Sequence, residues 1–270
     1  NIAGGTPLDM ALHWAVKHGQ DDVVNVLLRA KDIDANIAGG EGPTPLDMAI
    51  QYDKTDCMDA LLIVNGITAR TENLCTALHH AVQRGHTERV KALLKVDGID
   101  VNKPNPQRPG GESPLHLAAD NGKTECVNLL LKHPNIDVNK ADDKGNTALH
   151  IAAWEGKMAV IKALLDAGID VNIADSDGDT ALHIAAKVGN TKVIKTLLEK
   201  EGINVNEADN QGWTPLHLTA FKGNTKCFKI LLEKKGIDVN LKDKFGRTAL
   251  RCAALYNYPE VIKLLLKQPN

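Results

Sequence analysis

The heptapeptide Thr-Ala-Leu-His-Ile-Ala-Ala at 147–153 recurs at 180–186, 33 residues further along the chain. Variants open at Thr76 (Thr-Ala-Leu-His-His-Ala-Val), Ser113 (Ser-Pro-Leu-His-Leu-Ala-Ala), Thr214 (Thr-Pro-Leu-His-Leu-Thr-Ala) and Thr248 (Thr-Ala-Leu-Arg-Cys-Ala-Ala). Weaker relatives open at Thr44 and at Met10. From Met10 onward the intervals are 34, 32, 37, 34, 33, 34 and 34 residues. A period near 33 over nearly the whole of the 270 residues describes a stacked array of small units rather than one globular core.

Each position of the unit has a physical reading. The opening Thr is a good N-cap, because its hydroxyl accepts from an orphan N–H of the first turn. Pro suits the first helical position. Nine residues after the opening residue stands a Gly (Gly19, Gly85, Gly122, Gly156, Gly189, Gly223), which permits a left-handed helix stop. An apolar run follows, as in Val160-Ile161-Lys162-Ala163-Leu164-Leu165, and builds a second, antiparallel helix. Neither helix can bury its apolar stripe alone, so neighbouring units must stack. Ile-Asp-Val-Asn or a near relative closes the unit, at Asn36, Asn102, Asn139, Asn172, Asn206 and Asn240, and caps a turn. That turn, with Gly145, Gly178, Gly212 or Gly246, projects from the helix pair.

Thr-x-Leu-His, the Gly nine residues on, the Val/Ile-x-x-Leu-Leu run and the closing Asn together resemble the ankyrin repeat. The resemblance implies an all-α ankyrin-repeat solenoid of stacked helix-turn-helix units with projecting turn or β-hairpin loops. It is expected to form one domain over 1–270, with repeats opening near Met10, Thr44, Thr76, Ser113, Thr147, Thr180, Thr214 and Thr248. In that family the motif histidine (here His13, His79, His116, His150, His183 and His217) bonds turn to helix and ties adjacent repeats together. The family's asparagines can also be substrates of hydroxylation. Its function is protein binding, on a concave surface made by the projecting turns and the exposed side of the first helix.

Carried over slot by slot, that surface takes in the two residues before the helix-ending Gly and those flanking the turn Gly. Only nine aromatic residues occur in the chain. Six fall in these slots (Tyr52, Trp154, Trp213, Phe221, Phe245 and Tyr256), five of them in repeats 5–8. Exposed aromatics beside Arg are typical interface anchors. The predicted partner-binding set is therefore Trp154, Lys187, Trp213, Phe221, Lys222, Lys244, Phe245, Arg247 and Tyr256. Turn charges change sign along the array, from Asp175, Asp177 and Asp179 to Lys242, Lys244 and Arg247, which would orient a partner of complementary polarity.

Composition narrows the remaining classes. A net charge of −2 provides no global field favouring nucleic acid or an anionic membrane. No apolar run approaches the ~18 residues of a spanning helix. Cys57, Cys126 and Cys227 share a slot that holds Val160, Val193 and Val261 elsewhere, so they read as small buried apolar residues in a reduced, intracellular, cytoplasmic protein. No Cys-x-x-Cys pair, His-Glu-x-x-His helix or phosphate loop is present, so neither metal, cofactor nor catalytic residue is assigned. The expectation is a monomeric, non-catalytic scaffold with a protein partner.

The repeat is broken in places. Repeat 2 has Asp47 in the histidine slot and Asp53 for Gly; repeat 8 has Arg251 and Asn257 there. Thr6-Pro7-Leu8-Asp9 copies 44–47, so an extra helical turn could precede Met10. The loop at 102–113 is three residues longer than its counterparts and carries Pro104, Pro106, Pro109 and Gly110-Gly111. It reads as a tolerated surface insertion, or as a contact finger tipped by Lys103 and Arg108. Two other functions stay open. The chain could be a regulatory or targeting module of a larger enzyme or bacterial effector, since it begins without Met and its last helix, 261–266, is apolar. The aromatic patch could also hold a small ligand or nucleotide, with Lys222 and Arg247 on a phosphate.

Overall fold

The computed structural model describes residues 6–38, 42–64, 66–105 and 109–268, so Pro106 and Arg108 lie outside the described residues. Sixteen α-helices and no strand occur among the described residues. They divide into two compact units, one of residues up to 118 with 128–136, the other of 119–127 with 137 onward. In the first unit the leading helices are α1 (Pro7–His18), α3 (Pro45–Gln51) and α5 (Thr71–Arg84), with α2 (Asp21–Leu27), α4 (Thr55–Leu62) and α6 (Thr87–Leu93) as their antiparallel partners. Helices α1, α3 and α5 pack in one row and α2, α4 and α6 in a second. Repeat 4 consists of α7 (Pro114–Asp120) and α8 (Thr124–Leu131), through which the division between the units runs.

The second unit repeats the two-row arrangement. Helices α9 (Ala148–Glu155), α11 (Ala181–Val188), α13 (Pro215–Lys222) and α15 (Ala249–Leu255) form one row. Helices α10 (Met158–Asp166), α12 (Thr191–Leu198), α14 (Thr225–Leu232) and α16 (Pro259–Leu265) form the other. The periodic apolar residues are the ones that disappear: Leu149, Leu182 and Leu216 in the first row, Ile161, Ile194 and Phe228 in the second are all buried. Each such side chain contributes roughly 1.5–3 kcal/mol, and only because a neighbouring repeat covers it. All five cysteines are buried and free. Beside Asp21, burial first and the hydrogen bond to its carboxylate second push the Cys57 thiol up to about 12.

Helix stops fall where the glycines stand, and Asp53 (φ 51°) and Asn257 (φ 58°) adopt the same left-handed conformation in repeats 2 and 8. The starts differ from expectation twice. Helix α1 begins at Pro7, not Met10, because Thr6 is a capping residue: its hydroxyl accepts from the Asp9 N–H at 3.3 Å, and the Asp9 carboxylate accepts from the Thr6 N–H at 2.8 Å. Asp9 thereby takes the slot that His13 fills in a register counted from Met10. Thr76 opens no helix either. It lies inside α5, where its hydroxyl donates to the Glu72 carbonyl at 3.0 Å. The chain turns helical five residues earlier, after Arg70, whose N–H donates to Asp47 at 2.6 Å; the Asn73 side-chain amide donates to the same oxygen at 2.8 Å.

The side chains of the closing asparagines Asn172 and Asn206 bond to the next repeat rather than cap their own turns. The local cap comes two residues earlier, as where the Asp170 carboxylate accepts the Asn172 N–H at 2.9 Å. Asn172 itself reaches the next repeat: Nδ2 donates to the Gly202 carbonyl at 2.8 Å and Oδ1 accepts the Asn204 N–H at 2.8 Å. Asn206 repeats this on Gly236 and Asp238, at 2.7 and 2.9 Å. A side-chain amide supplies both a donor and an acceptor, so Asn172 engages the C=O and N–H on either side of Ile203 across the repeat junction.

Candidate partner-binding site

Each projecting turn of the second unit is built on an aspartate five residues before the repeat Thr: Asp142, Asp175, Asp209 and Asp243. Its Oδ1 accepts the N–H groups two and four residues on, at 2.8 and 2.8 Å for Gln211 and Trp213, and at 2.9 and 2.8 Å for Phe245 and Arg247. The turn closes through the Asp243 N–H donating to the Arg247 carbonyl at 2.9 Å. These turns are too short to extend into strands. Successive turns are joined by single backbone bonds, as where the Lys244 N–H donates to the Gln211 carbonyl at 3.0 Å.

The motif histidines fix the last residue of each following turn. His183 Nε2 donates to the Trp213 carbonyl at 3.0 Å, and His217 Nε2 donates to the Arg247 carbonyl at 3.0 Å. Nδ1 then has to accept, and it does so from the backbone N–H of Thr180 at 3.1 Å and of Thr214 at 3.3 Å. His150 does the same between Thr147 and the Asp179 carbonyl. Both ring nitrogens are committed to the neutral tautomer, and burial pushes the three imidazoles below their ordinary value. The role expected from the family therefore holds at these three sites, and it positions Trp213 and Arg247 directly.

Six of the nine predicted residues come together. The Trp213 and Phe221 rings meet edge-on with centroids 4.9 Å apart, and Phe221 meets Tyr256 edge-on at 4.5 Å. The Arg247 guanidinium lies 5.4 Å from the Trp213 centroid and 4.8 Å from that of Phe245. Lys222 joins them, its Nζ 5.9 Å from the Phe221 centroid. Asp243 holds Arg247 in place by accepting from Nε at 2.7 Å. That bond raises the Arg247 pKa; for Asp243, burial pushes upward but the Arg247 backbone N–H and guanidinium and the Phe245 N–H outweigh it, leaving a lowered value. Phe245 is 68% exposed and Tyr256 46%, so the cluster presents large apolar surface.

Three predicted residues stand apart. Trp154 is exposed on α9, two helices along the row from α13, which carries Phe221. Lys187, on α11 between them, is spent on an ion pair with Asp179, whose carboxylate is buried and raised in pKa by that burial. Lys244 is exposed in the turn beside Phe245. The acidic turn of repeat 6 is also less anionic outside than its letters suggest: Asp175 and Asp179 are used internally, and only Asp177 is exposed. The sequence reading overlooked Asp209 and Asp243. Their recurrence five residues before each repeat Thr was the available signal. Among the described residues no cluster of metal-binding side chains occurs, and no helix is long and apolar enough to cross a membrane.

The family model for ankyrin repeats (three copies) matches residues 12–105, 101–175, 173–243 and 207–270. The chain belongs to the ankyrin-repeat family. Its ankyrin repeats are a protein–protein interaction fold. The crystal structure of EF0377, an ankyrin repeat protein, is similar with a TM-score of 0.66 and 26% identity, covering 72% of this chain and 98% of that one. Among curated proteins, the probable E3 ubiquitin-protein ligase XBOS32 of Oryza sativa subsp. japonica is 29% identical over 159 residues, covering 58% of this ankyrin chain and 30% of the relative. The ankyrin repeat and SOCS box protein 11 of Mus musculus is 33% identical over 96 residues, 36% of this chain and 29% of the relative. The chain spans less than a third of the length of these curated relatives.

Proposed function

We propose that this ankyrin-repeat chain is a non-catalytic scaffold whose protein partner docks on the face made by Trp213, Phe221, Phe245, Arg247 and Tyr256. One observation carries the reading. A chain with nine aromatics holds four of them, with one guanidinium, in a single exposed cluster, and fixes two of its members by histidine and aspartate hydrogen bonds. Rigid aromatic and Arg anchors lose little entropy on binding and dominate interface energetics. His150, His183 and His217 have both ring nitrogens occupied, which supports a structural role for them over a catalytic one.

Affinity capture compared across variants tests this. The Trp213→Ala, Phe245→Ala double variant should retain at least about tenfold less of the captured partner, while Asn121→Ala, in an equivalent slot of repeat 4, should retain it fully. Equal capture by all three proteins, with helical content unchanged, removes the site from this face. The relatives support a second reading, in which the face recruits a protein to a larger assembly, because several are named E3 ubiquitin-protein ligases and are much longer than the matched segment. The full reading frame distinguishes the two: catalytic or recruitment domains in it support the second, and their absence supports the first.

A further inference from the structure

The charge around the aromatic cluster is one-sided. Lys222, Lys242 and Lys244 are exposed and have no carboxylate partner among the described residues. Of the two turn aspartates, Asp243 is fully buried at its side chain and pairs with Arg247, and the half-buried Asp209 has its Oδ1 turned inward on the Gln211 and Trp213 N–H groups. Arg247 is held by one atom. Nε donates to Asp243, and neither Nη nitrogen has a hydrogen-bond partner among the described residues, while 22% of the side chain reaches solvent. A guanidinium clamped between Trp213 and Phe245, with terminal donors left over, is preorganised for a forked bond to a carboxylate.

We infer that the occupant of this face is an acidic peptide segment in which carboxylates alternate with apolar side chains. The inference rests on the interaction reading above and adds the chemistry of the partner. A partner carboxylate takes the Arg247 fork, further acids meet Lys222, Lys242 and Lys244, and the apolar residues cover Phe245, Tyr256 and Leu255, which are 68%, 46% and 63% exposed. A nucleotide or single-stranded nucleic acid fits less well, because stacking a base needs open ring faces. Arg247 already lies over Trp213 and Phe245, and Phe221 is held edge-on between Trp213 and Tyr256.

Selection of a random dodecapeptide phage library on the full chain tests this, with Arg247→Gln and Trp213→Ala, Phe245→Ala proteins in parallel and an oligothymidylate as a competing probe. Peptides selected on the unmodified protein should be enriched in Asp and Glu interleaved with Leu, Ile or Phe. Their binding should weaken roughly tenfold or more for Arg247→Gln and should fall steeply with added salt. Urea midpoints confirm that each variant is folded. Selected peptides without acidic enrichment, or peptides held as tightly by Arg247→Gln, overturn the acidic assignment and leave the interaction face standing. Tighter binding of the oligothymidylate than of any selected peptide overturns it in favour of nucleic acid. Peptides held equally by the aromatic double variant, or no enrichment at all, overturn both.

Discussion

Replacing Gly212 by Ala should damage both folding and recognition, whereas Gly246→Ala should damage folding alone. Both glycines have left-handed φ, 81° and 71°, so a Cβ at either strains the backbone by about 1–2 kcal/mol. The surroundings differ. At Gly212 a Cβ would sit 2.9 Å from the Lys244 backbone nitrogen and 3.0 Å from the Asp243 Cα; at Gly246 nothing lies within 4 Å. The obstruction at Gly212 is backbone, which cannot swing aside as a side-chain tip can. Relief requires the 243–247 turn to move, which breaks the Lys244–Gln211 bond, worth about 0.5–1.5 kcal/mol, and carries Phe245 and Arg247 away from Trp213. The expected loss is therefore about 1.5–3.5 kcal/mol for Gly212→Ala against about 1–2 for Gly246→Ala. Urea midpoints followed by far-ultraviolet circular dichroism measure the stabilities, and titration with a selected peptide measures the site. Equal destabilisation with equal affinity would refute the idea that contact between successive turns sets the geometry of the face.

Two further outcomes follow from the same hydrogen bonds. Acid should destabilise the fold: His150, His183 and His217 have lowered native pKa values, so below about pH 6.5 the unfolded chain takes up protons that the native one refuses. Their contribution is complete above that pH and is lost down to the depressed native values, at most about 1.4 kcal/mol each by pH 5.5 and about 4 together; an unchanged urea midpoint between pH 7.5 and 5.5 would contradict it. Asp243→Ala should cost more stability than Asp209→Ala, by about 1–2 kcal/mol, because both lose two backbone N–H acceptors but only Asp243 also tethers a guanidinium. Equal losses would mean that the Asp243–Arg247 bond is not holding Arg247 in place.

How far the letters carried depends on whether a residue's role is local or shared between repeats. Thr214 and Pro215 open α13 and Gly223 ends it because capping, φ preference and chirality act within one turn, and such effects repeat with the period. The two displaced starts show the limit. Thr76 has a good capping side chain, but α5 is already under way before it, and the segment entering it is bound by Asp47, which is 29 residues before Thr76 in sequence. Met10 matched the motif downstream of it, but Thr6 offered the better cap. Helix α1 begins at a side-chain cap, whereas the start of α5 has none and is tied instead to a carboxylate of another repeat.

The candidate site divides along the same line. Slot arithmetic found Tyr52, Trp154, Phe245 and Tyr256, which are exposed, but it also took in Trp213 and Phe221, which are half-buried against each other, and passed over Trp14, which is 55% exposed. It could not distinguish a lysine free to meet a partner from one already paired. Lys187 and Lys222 stand in neighbouring slots of adjacent repeats, yet Asp179 neutralises the first while the second lies against Phe221. The difference is set by the residue just before the repeat Thr: Asp179 in one repeat, Trp213 in the next. That position is fixed through its carbonyl by the histidine of the preceding repeat, so its side chain is free to vary without disturbing the stack. The array thus separates the hydrogen bonds that hold it together, which use backbone carbonyls, from the side chains that face a partner. Asp179, Trp213 and Arg247 occupy equivalent positions with three different chemistries on one unchanged scaffold.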